Sequence, residues 1–425
     1  RFEFVVFKRV LWLSVLGNTK RLPHACHMNS VVRQMWEQNT DVVMVDTGNS
    51  YEGLCEYVGG KYISYTDEHP ITMNPFAIKR EELNIEKIGF LKNLIMLIWK
   101  GTQGEVTKTE DRLVEQVITE YFDEYFVKKR IDNLSFNTFY EYSTVRIPTI
   151  IKENNLAGID LAAYNYLLKD FYKGGSHELT LNENLDTKLF DETFIVFEID
   201  SIKDDPLLFP LVTLIIMDVF IQKMRIKKNR KVLVIEEAWK AIASPMMAEY
   251  IKYLYKTARK FWASVGVVTQ EIQDIVGSPI VKEAIINNSD VVMLLDQAKF
   301  RERFDEIKAI LGLTDVDCKK IFTINRLENK EGRSFFREVF IRRGSVGAVF
   351  GVEEPHECYM TYTTERAEKE ALKLYKKELQ CDHQHAIEAY CRDWELSGIS
   401  KSLPFAQKVN QTGHVLHLTP HNQSE

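Results

Sequence analysis

The chain has 425 residues, 45% of them hydrophobic and 27% charged, a globular composition that excludes a disordered chain and supplies material for two or three domains. Its formal net charge is −6, so the basic excess expected of a nucleic-acid binder is missing. Its six cysteines form no CxxC pair, which points to free thiols in a reducing compartment.

Two apolar runs fail as membrane spans. Leu207–Ile221 carries Pro210 and Asp218 and falls short of about 20 apolar residues, and "FVVFKRVLWLSVL" is broken by Lys8 and Arg9. No signal-peptide pattern is visible. A first residue of Arg rather than Met marks the chain as a piece of a longer protein.

In chain order, Val10–Leu16 reads as a strand. "HMNSVVRQMWEQ" follows, with Met28, Val31, Val32 and Met35 at helical spacing. "DVVMVD", Asp41–Asp46, is a short, continuously apolar strand, so a βαβ unit with a parallel sheet is expected. "KYISYT" is a further strand and "HPITMNPF" a connector. From about residue 80 to 190 the pattern turns helical, with stop signals at Gly101 and Gly174-Gly175. Alternating strands and helices then resume with the strand "TFIVFEID", a buried helix over Leu207–Ile226, the strand "RKVLVIEEAWK" and the amphipathic helix "MAEYIKYLYKTARKF". The strand "SVGVVTQ", the helix "SPIVKEAIINN" and the strand "DVVMLLD" complete it. "REVFIRRGSVGAVFGV" reads as a hairpin turning near Gly344. One charged helix follows within 363–398, with Thr364 as its cap and a Glu365–Lys369 pair. Residues 399–425 are expected to be a disordered tail.

"VLVIEEAW" is the most informative stretch. Val232–Ile235 form a strand, and Glu236 and Glu237 stand at its carboxyl end, where open α/β sheets bind ligands. Nucleotide hydrolysis needs one carboxylate to hold Mg²⁺ and one to orient the attacking water. A helix whose first turn favours acids gives the same pair. Gln270, closing "SVGVVTQ", suits a γ-phosphate or the lytic water, or is simply a polar residue leaving a strand. Arg259 and Lys260 suit a cation reaching a neighbouring subunit's phosphate, or complement a helix dipole.

The segments "MNSVVRQMWEQNTDVVMVDTGNSYEGLCE", "GGKYISYT", "KVLVIEEAWKAIASPMMAEYIKYLYKTARKF", "VVTQEIQDI" and "YMTYTTERAEKEALKLY" together resemble TraG-type conjugation ATPases, the type IV secretion ATPases of conjugative transposons. The resemblance runs from about Met28 to about Tyr375. It implies an α/β fold: a RecA-like P-loop NTPase core with a mainly parallel sheet, divided into 1–79 and 191–362 by an all-helical insertion over 80–190. It also implies ATP and Mg²⁺ as cofactors, a homo-hexamer, and a cytoplasmic position peripheral to the inner membrane against secretion-channel components. Carried over by residue, Glu236 would hold Mg²⁺, Glu237 would be the catalytic carboxylate, Gln270 the sensor and Arg259 the trans-acting cation. Asp46 would either contact the nucleotide pocket or hold its own turn through Asp46-Thr47-Gly48.

The family's GxxxxGK[ST] loop belongs just before Met28, where this sequence has "KRLPHACH". The signature lysine falls on or near His24 and its preceding glycine on Pro23. Such a loop cradles phosphates with successive backbone N–H groups. Pro23 has no N–H, His24 is mostly neutral at pH 7, and Lys20 alone replaces little of the cradle. "GGK" at Gly59–Lys61 leads into a strand and lacks the upstream glycine. Either the copy has degenerated and keeps only the fold, or a local stretch is corrupted, for example by a compensated frameshift. The abrupt return of the family pattern at Met28 favours the second.

The preferred reading is an ATP-hydrolysing secretion motor. The alternatives are a catalytically silent subunit acting through ring or channel contacts, and a DNA translocase on the same core. "CDHQHAIEAYC" has metal-binding residue types at no familiar spacing, and the aromatic-rich "SFNTFYEYSTV" reads as helical core.

Overall fold

The computed structural model describes residues 11–15, 24–66, 68–184, 187–236, 245–269, 289–325 and 336–416. The chain enters on strand β1 (Leu11–Val15) and helix α1 (His24–Glu37). Next come β2 (Thr40–Asp46), α2 (Glu52–Tyr57) and β3 (Lys61–Ser64). Between β3 and β4 the described residues form helices only: α3 (Ile85–Lys100), α4 (Lys108–Phe126), α5 (Phe136–Glu153), α6 (Leu161–Leu168) and α7 (Glu178–Asn182), with short 3₁₀ turns. The α/β pattern returns with β4 (Phe194–Glu198), α8 (Leu208–Ile226), β5 (Arg230–Ile235), α9 (Pro245–Ala258) and β6 (Ala263–Thr269). It continues through β7 (Val291–Leu294), α10 (Phe304–Leu311), α11 (Asp315–Ile321) and the hairpin β8 (Phe336–Arg343) and β9 (Val346–Glu353). Helices α12 (His356–Tyr362), α13 (Arg366–Leu379), α14 (His383–Leu396) and α15 (Ser402–Thr412) close the chain.

Among the described residues, nine strands form one sheet in the order β3-β4-β2-β5-β6-β1-β7-β8-β9. From β3 to β7 every neighbouring pair is parallel, and β8 and β9 are antiparallel. β2 explains why its sequence lacks alternation. Val42 and Met44 join one apolar cluster with Met28, Val31 and Val32 of α1, while Val43 and Val45 join another with α3 and α8. A parallel strand covered on both faces must be apolar on both.

Helix α8 is buried along most of its length, as its largely apolar sequence requires. Asp205 Oδ1 accepts from the backbone N–H of Leu207 (2.8 Å) and Leu208 (2.7 Å) at its start, and Pro210 falls in the first turn, where it removes no helical bond. Among the described residues, no helix is long and apolar enough to cross a membrane. The two charges α8 buries deepest are paired: Lys223 with Asp41 at 3.0 Å, and Asp218 with Lys87 of α3 at 2.7 Å. The helical segment has no separate core. Phe76, Tyr121, Phe122, Phe136 and Phe139 belong to the same cluster as the sheet face and α8. α3 stops at Gly101, whose φ of 66° lies in the left-handed region that glycine adopts freely.

The C-terminal region corrects four expectations. The single helix expected within 363–398 is two helices, α13 and α14. Residues 402–412 of the expected tail form α15, which buries Phe405, Ala406 and Val409 against Tyr375, Tyr390 and Trp394. Thr364 does not cap α13: Glu365 holds the N-cap position without a side-chain cap bond, and the neighbouring Thr363 hydroxyl donates to Glu368. Lys369 pairs with Glu52 of α2 at 3.1 Å rather than with Glu365. The helix expected over "SPIVKEAIINN" lies outside the described residues.

The Lys87–Asp218 pair ties the helical segment to the core from inside, with side chains only 7% and 5% exposed. Asp218→Ala leaves a buried ammonium uncompensated and is expected to cost about 3–5 kcal/mol, whereas Lys87→Met with Asp218→Leu restores most of that loss. Urea denaturation of the three proteins checks this; equal losses in the single and double variants would show that packing, not charge, governs the contact.

Candidate functional site

The site is built where parallel strands end. β6 lies between β5 and β1, and Val15, the last residue of β1, is in register with Thr269, the last of β6. Glu236 follows β5 directly, and its backbone N–H donates to Val45 O at 3.0 Å, extending the ladder by one residue. Glu236 therefore stands on the carboxyl rim of the sheet. Thr269, on the same rim, is the residue before Gln270. Glu237, Gln270 and Lys20 lie outside the described residues. His24 opens α1 and Arg259 opens a short 3₁₀ turn after α9, so their backbones are placed and their side chains are not described.

Asp46 is at the same rim, on β2, and is 1% exposed. Its Oδ2 accepts from the backbone N–H of Ser50 at 2.7 Å and of Tyr51 at 3.1 Å. Its direct work is thus to hold the turn that follows β2. Glu198, the last residue of β4, is Asp46's register partner and is 3% exposed. Its Oε2 accepts from the Asn49 N–H at 2.8 Å and the Tyr62 hydroxyl at 3.2 Å, and its Oε1 from the Asp200 N–H at 2.8 Å. Glu198 was not singled out from sequence, although "TFIVFEID" carries the same signal as "VLVIEEAW": an apolar strand ending in an acid.

Three carboxylates, Glu198, Asp46 and Glu236, thus end three adjacent strands. Burial, and then the facing charges of Glu198 and Glu236, push the Asp46 carboxyl well above the usual carboxylate range. The shift favours the neutral form of Asp46 beside Glu198. Glu236 is the most accessible of the three, and the Tyr51 hydroxyl donates to its Oε1. Among the described residues no three such side chains converge on a metal site, so of these acids Glu236 alone is the carboxylate that suits a hard cation such as Mg²⁺.

The raised pKa of the Asp46 carboxyl sets the direction of a pH effect. An acid whose folded pKa is raised contributes stability that is present below its unfolded pKa and lost as pH rises through the folded pKa. Asp46→Asn supplies a neutral donor and acceptor in place of the acid, and is expected to flatten the fall in thermal midpoint as pH rises above the ordinary carboxylate range. Asp46→Ala strands the Ser50 and Tyr51 N–H groups and lowers the midpoint throughout, by about 1–3 kcal/mol for each group left unsatisfied. Scanning calorimetry upward from that range reads both; an Asp46→Asn profile parallel to wild type would overturn the raised pKa of Asp46.

Comparison with known proteins agrees with this architecture. A family model described as the TraG P-loop domain matches residues 14–394. Protein TraC of Escherichia coli (strain K12) is 24% identical over 294 residues, covering 65% of this chain and 31% of TraC, so the chain spans about a third of that relative's length. VirB4 of Thermoanaerobacter pseudethanolicus superposes with a TM-score of 0.61 at 19% identity, covering 83% of this chain and 91% of VirB4. The bacterial conjugative coupling protein TrwBΔN70 with sulphate gives 0.51 at 12% identity, covering 82% and 85%. TrwB in complex with the non-hydrolysable ATP analogue ADPNP gives 0.50 at 10%, covering 81% and 85%. With its rim of strand-end acids on a sheet shared with VirB4 and TrwB, the chain belongs to the TraG P-loop domain family and has a P-loop NTPase fold.

Proposed function

We propose that the chain is an ATP-hydrolysing motor subunit of a conjugative type IV secretion system, in a copy whose phosphate loop departs from the family pattern. The observation that carries this reading is the position of Glu236. It stands on the carboxyl rim one strand away from β1, and β1 leads through the phosphate-loop segment into α1. In this reading Glu236 holds Mg²⁺ and Glu237 orients and activates the attacking water. Gln270 senses the γ-phosphate, and Arg259 reaches the site of a neighbouring subunit in a homo-hexamer. Bound Mg²⁺ would neutralise the charge that develops on the phosphate oxygens. The subunit works in the cytoplasm, at the inner membrane, against components of the secretion channel. Membership of the family and the nucleotide complex of TrwB support this assignment.

One feature of the sequence favours a second reading, a silent subunit that keeps the fold and acts through ring contacts. Pro23 occupies the loop position where glycine and a backbone N–H are required. Four substitutions, Asn18→Gly, Pro23→Gly, His24→Lys and Ala25→Ser, rebuild the GxxxxGKS spacing before Met28. The rebuilt chain is expected to bind a fluorescent ATP analogue at least about tenfold more tightly than the chain as it stands, because the N–H cradle and its lysine return together. Titration of both proteins decides it, and failure of the rebuilt chain to bind counts against a nucleotide site. Within the rebuilt chain, Glu237→Gln is expected to keep ATP binding and to lower turnover by about 10²–10⁴-fold. Undiminished phosphate release in a coupled assay would take Glu237 out of the mechanism.

A further inference from the structure

The turn "DTGNSY", residues 46–51, is held from several sides at once. Asp46 and Glu198 fix the N–H groups of Asn49, Ser50 and Tyr51 from within the sheet. Asn29 of α1 donates its side-chain amide to Ser50 O at 3.0 Å. Lys369 of α13 donates to Asn49 O at 3.1 Å. Tyr51 comes out of this turn at the start of α2, fully buried in the apolar cluster that also contains Met28 and Val42. Its ring cannot move without breaking that packing, and its hydroxyl donates to Glu236 Oε1.

We propose that Tyr51 is a positioning residue for the metal-holding carboxylate: its hydroxyl fixes the Glu236 side chain in one orientation at the rim, where it would hold a divalent cation. This rests on the reading of Glu236 given under Proposed function. The chemistry of the donor matters. A glutamate one residue beyond a strand end has several rotamers, and ligation must freeze one of them. A phenol freezes it beforehand and leaves the full negative charge on the carboxylate. A lysine in the same place would neutralise that charge and compete with the ion. Hydrogen bonds of this kind, behind the ligand itself, commonly change metal affinity by about 10–100-fold. The apolar ring supplies the packing, so Tyr51→Phe deletes the proposed function and little else. Asn29 gives the arrangement a further consequence. It bonds the same turn to α1, the helix that follows the phosphate-loop segment, so the carboxylate and the helix are referenced to one rigid element.

The test uses the full chain carrying the four loop substitutions, with Mn²⁺ as the paramagnetic probe and ADPNP present. Electron paramagnetic resonance titration of free Mn²⁺ gives the metal affinity, and thermal melting without ligands gives stability. Tyr51→Phe is expected to weaken Mn²⁺ binding about tenfold, while ADPNP affinity in EDTA and the ligand-free melting midpoint stay near the parent values. In a Glu236→Gln background, Tyr51→Phe is expected to add nothing, because the hydroxyl acts through that carboxylate. A merely structural role predicts the opposite pattern: a lowered midpoint and the same loss in both backgrounds. If Glu236→Gln weakens Mn²⁺ binding and Tyr51→Phe does not, the role of Tyr51 is overturned and the motor reading stands. If the parent binds neither ADPNP nor Mn²⁺, the motor reading falls and takes this proposal with it.

Discussion

The structure depends on how two buried acids on neighbouring strands coexist. Asp46 and Glu198 are register partners at the carboxyl ends of β2 and β4, each almost wholly removed from water. Two ionised carboxylates in that setting would repel one another at low dielectric. Burial and the facing charges of Glu198 and Glu236 raise the Asp46 pKa, which favours its neutral form and weakens that repulsion. The oxygen lone pairs of the two acids take up backbone N–H groups of the turn after β2, which would otherwise be buried without partners. A turn secured in this way can hold Tyr51, and through Tyr51 the accessible acid Glu236. Burial in the same place keeps the Tyr62 phenol protonated, so it remains a donor to Glu198.

The two helical regions join this sheet by different physical means. The segment between β3 and β4 shares one continuous apolar cluster with the sheet and α8. Moving it as a body against the core would expose that surface, at roughly 25 cal/mol for each Å² of apolar area. The C-terminal helices have their own cluster. They meet the sheet side through Tyr362 of α12, which is buried in the apolar cluster of α1 and β2, and through surface ion pairs, Lys369–Glu52 and Lys376–Glu56, which contribute about 0–1 kcal/mol each. Close fit adds to them: a Cβ on Gly53 of α2 would lie 2.4 Å from Thr361 O of α12. The region is therefore seated by shape more than by charge, and only glycine allows that approach.

Much of the core was legible because burial leaves periodic marks. Met28, Val31, Val32 and Met35 lie on the buried face of α1 as their spacing requires, and the unbroken apolar runs of β2, β4 and β5 are central parallel strands. The partnership of Asp46 with Glu198 was not legible. The two are far apart in sequence, and nothing local says that β4 lies beside β2 rather than at an edge. Lys369 was misassigned for the same reason: a partner four residues away is visible in sequence, whereas Glu52, brought close by the fold, is not. α15 was legible and missed. Ser402, Phe405, Ala406 and Val409 have helical spacing, although the polar residues beyond Val409 carry no such period.

His27 brings a physical sign to the question of the phosphate-loop segment. The next residue on α1 is Met28, the first of the buried apolar face. Burial pushes the imidazole pKa down to about 4, so the ring is neutral at physiological pH. Among the described residues its Nε2 has no hydrogen-bond partner. A buried polar atom without a partner costs stability, and helix faces packed on a sheet normally avoid it by placing an apolar residue there. The position asks for an apolar side chain and holds a histidine. Pro23, two residues after Arg21 in the slot that needs glycine, conflicts with its position in the same sense. Among the described residues the same kind of buried, unpartnered imidazole nitrogen occurs at His383 on α14, so it does not by itself mark a boundary at Met28.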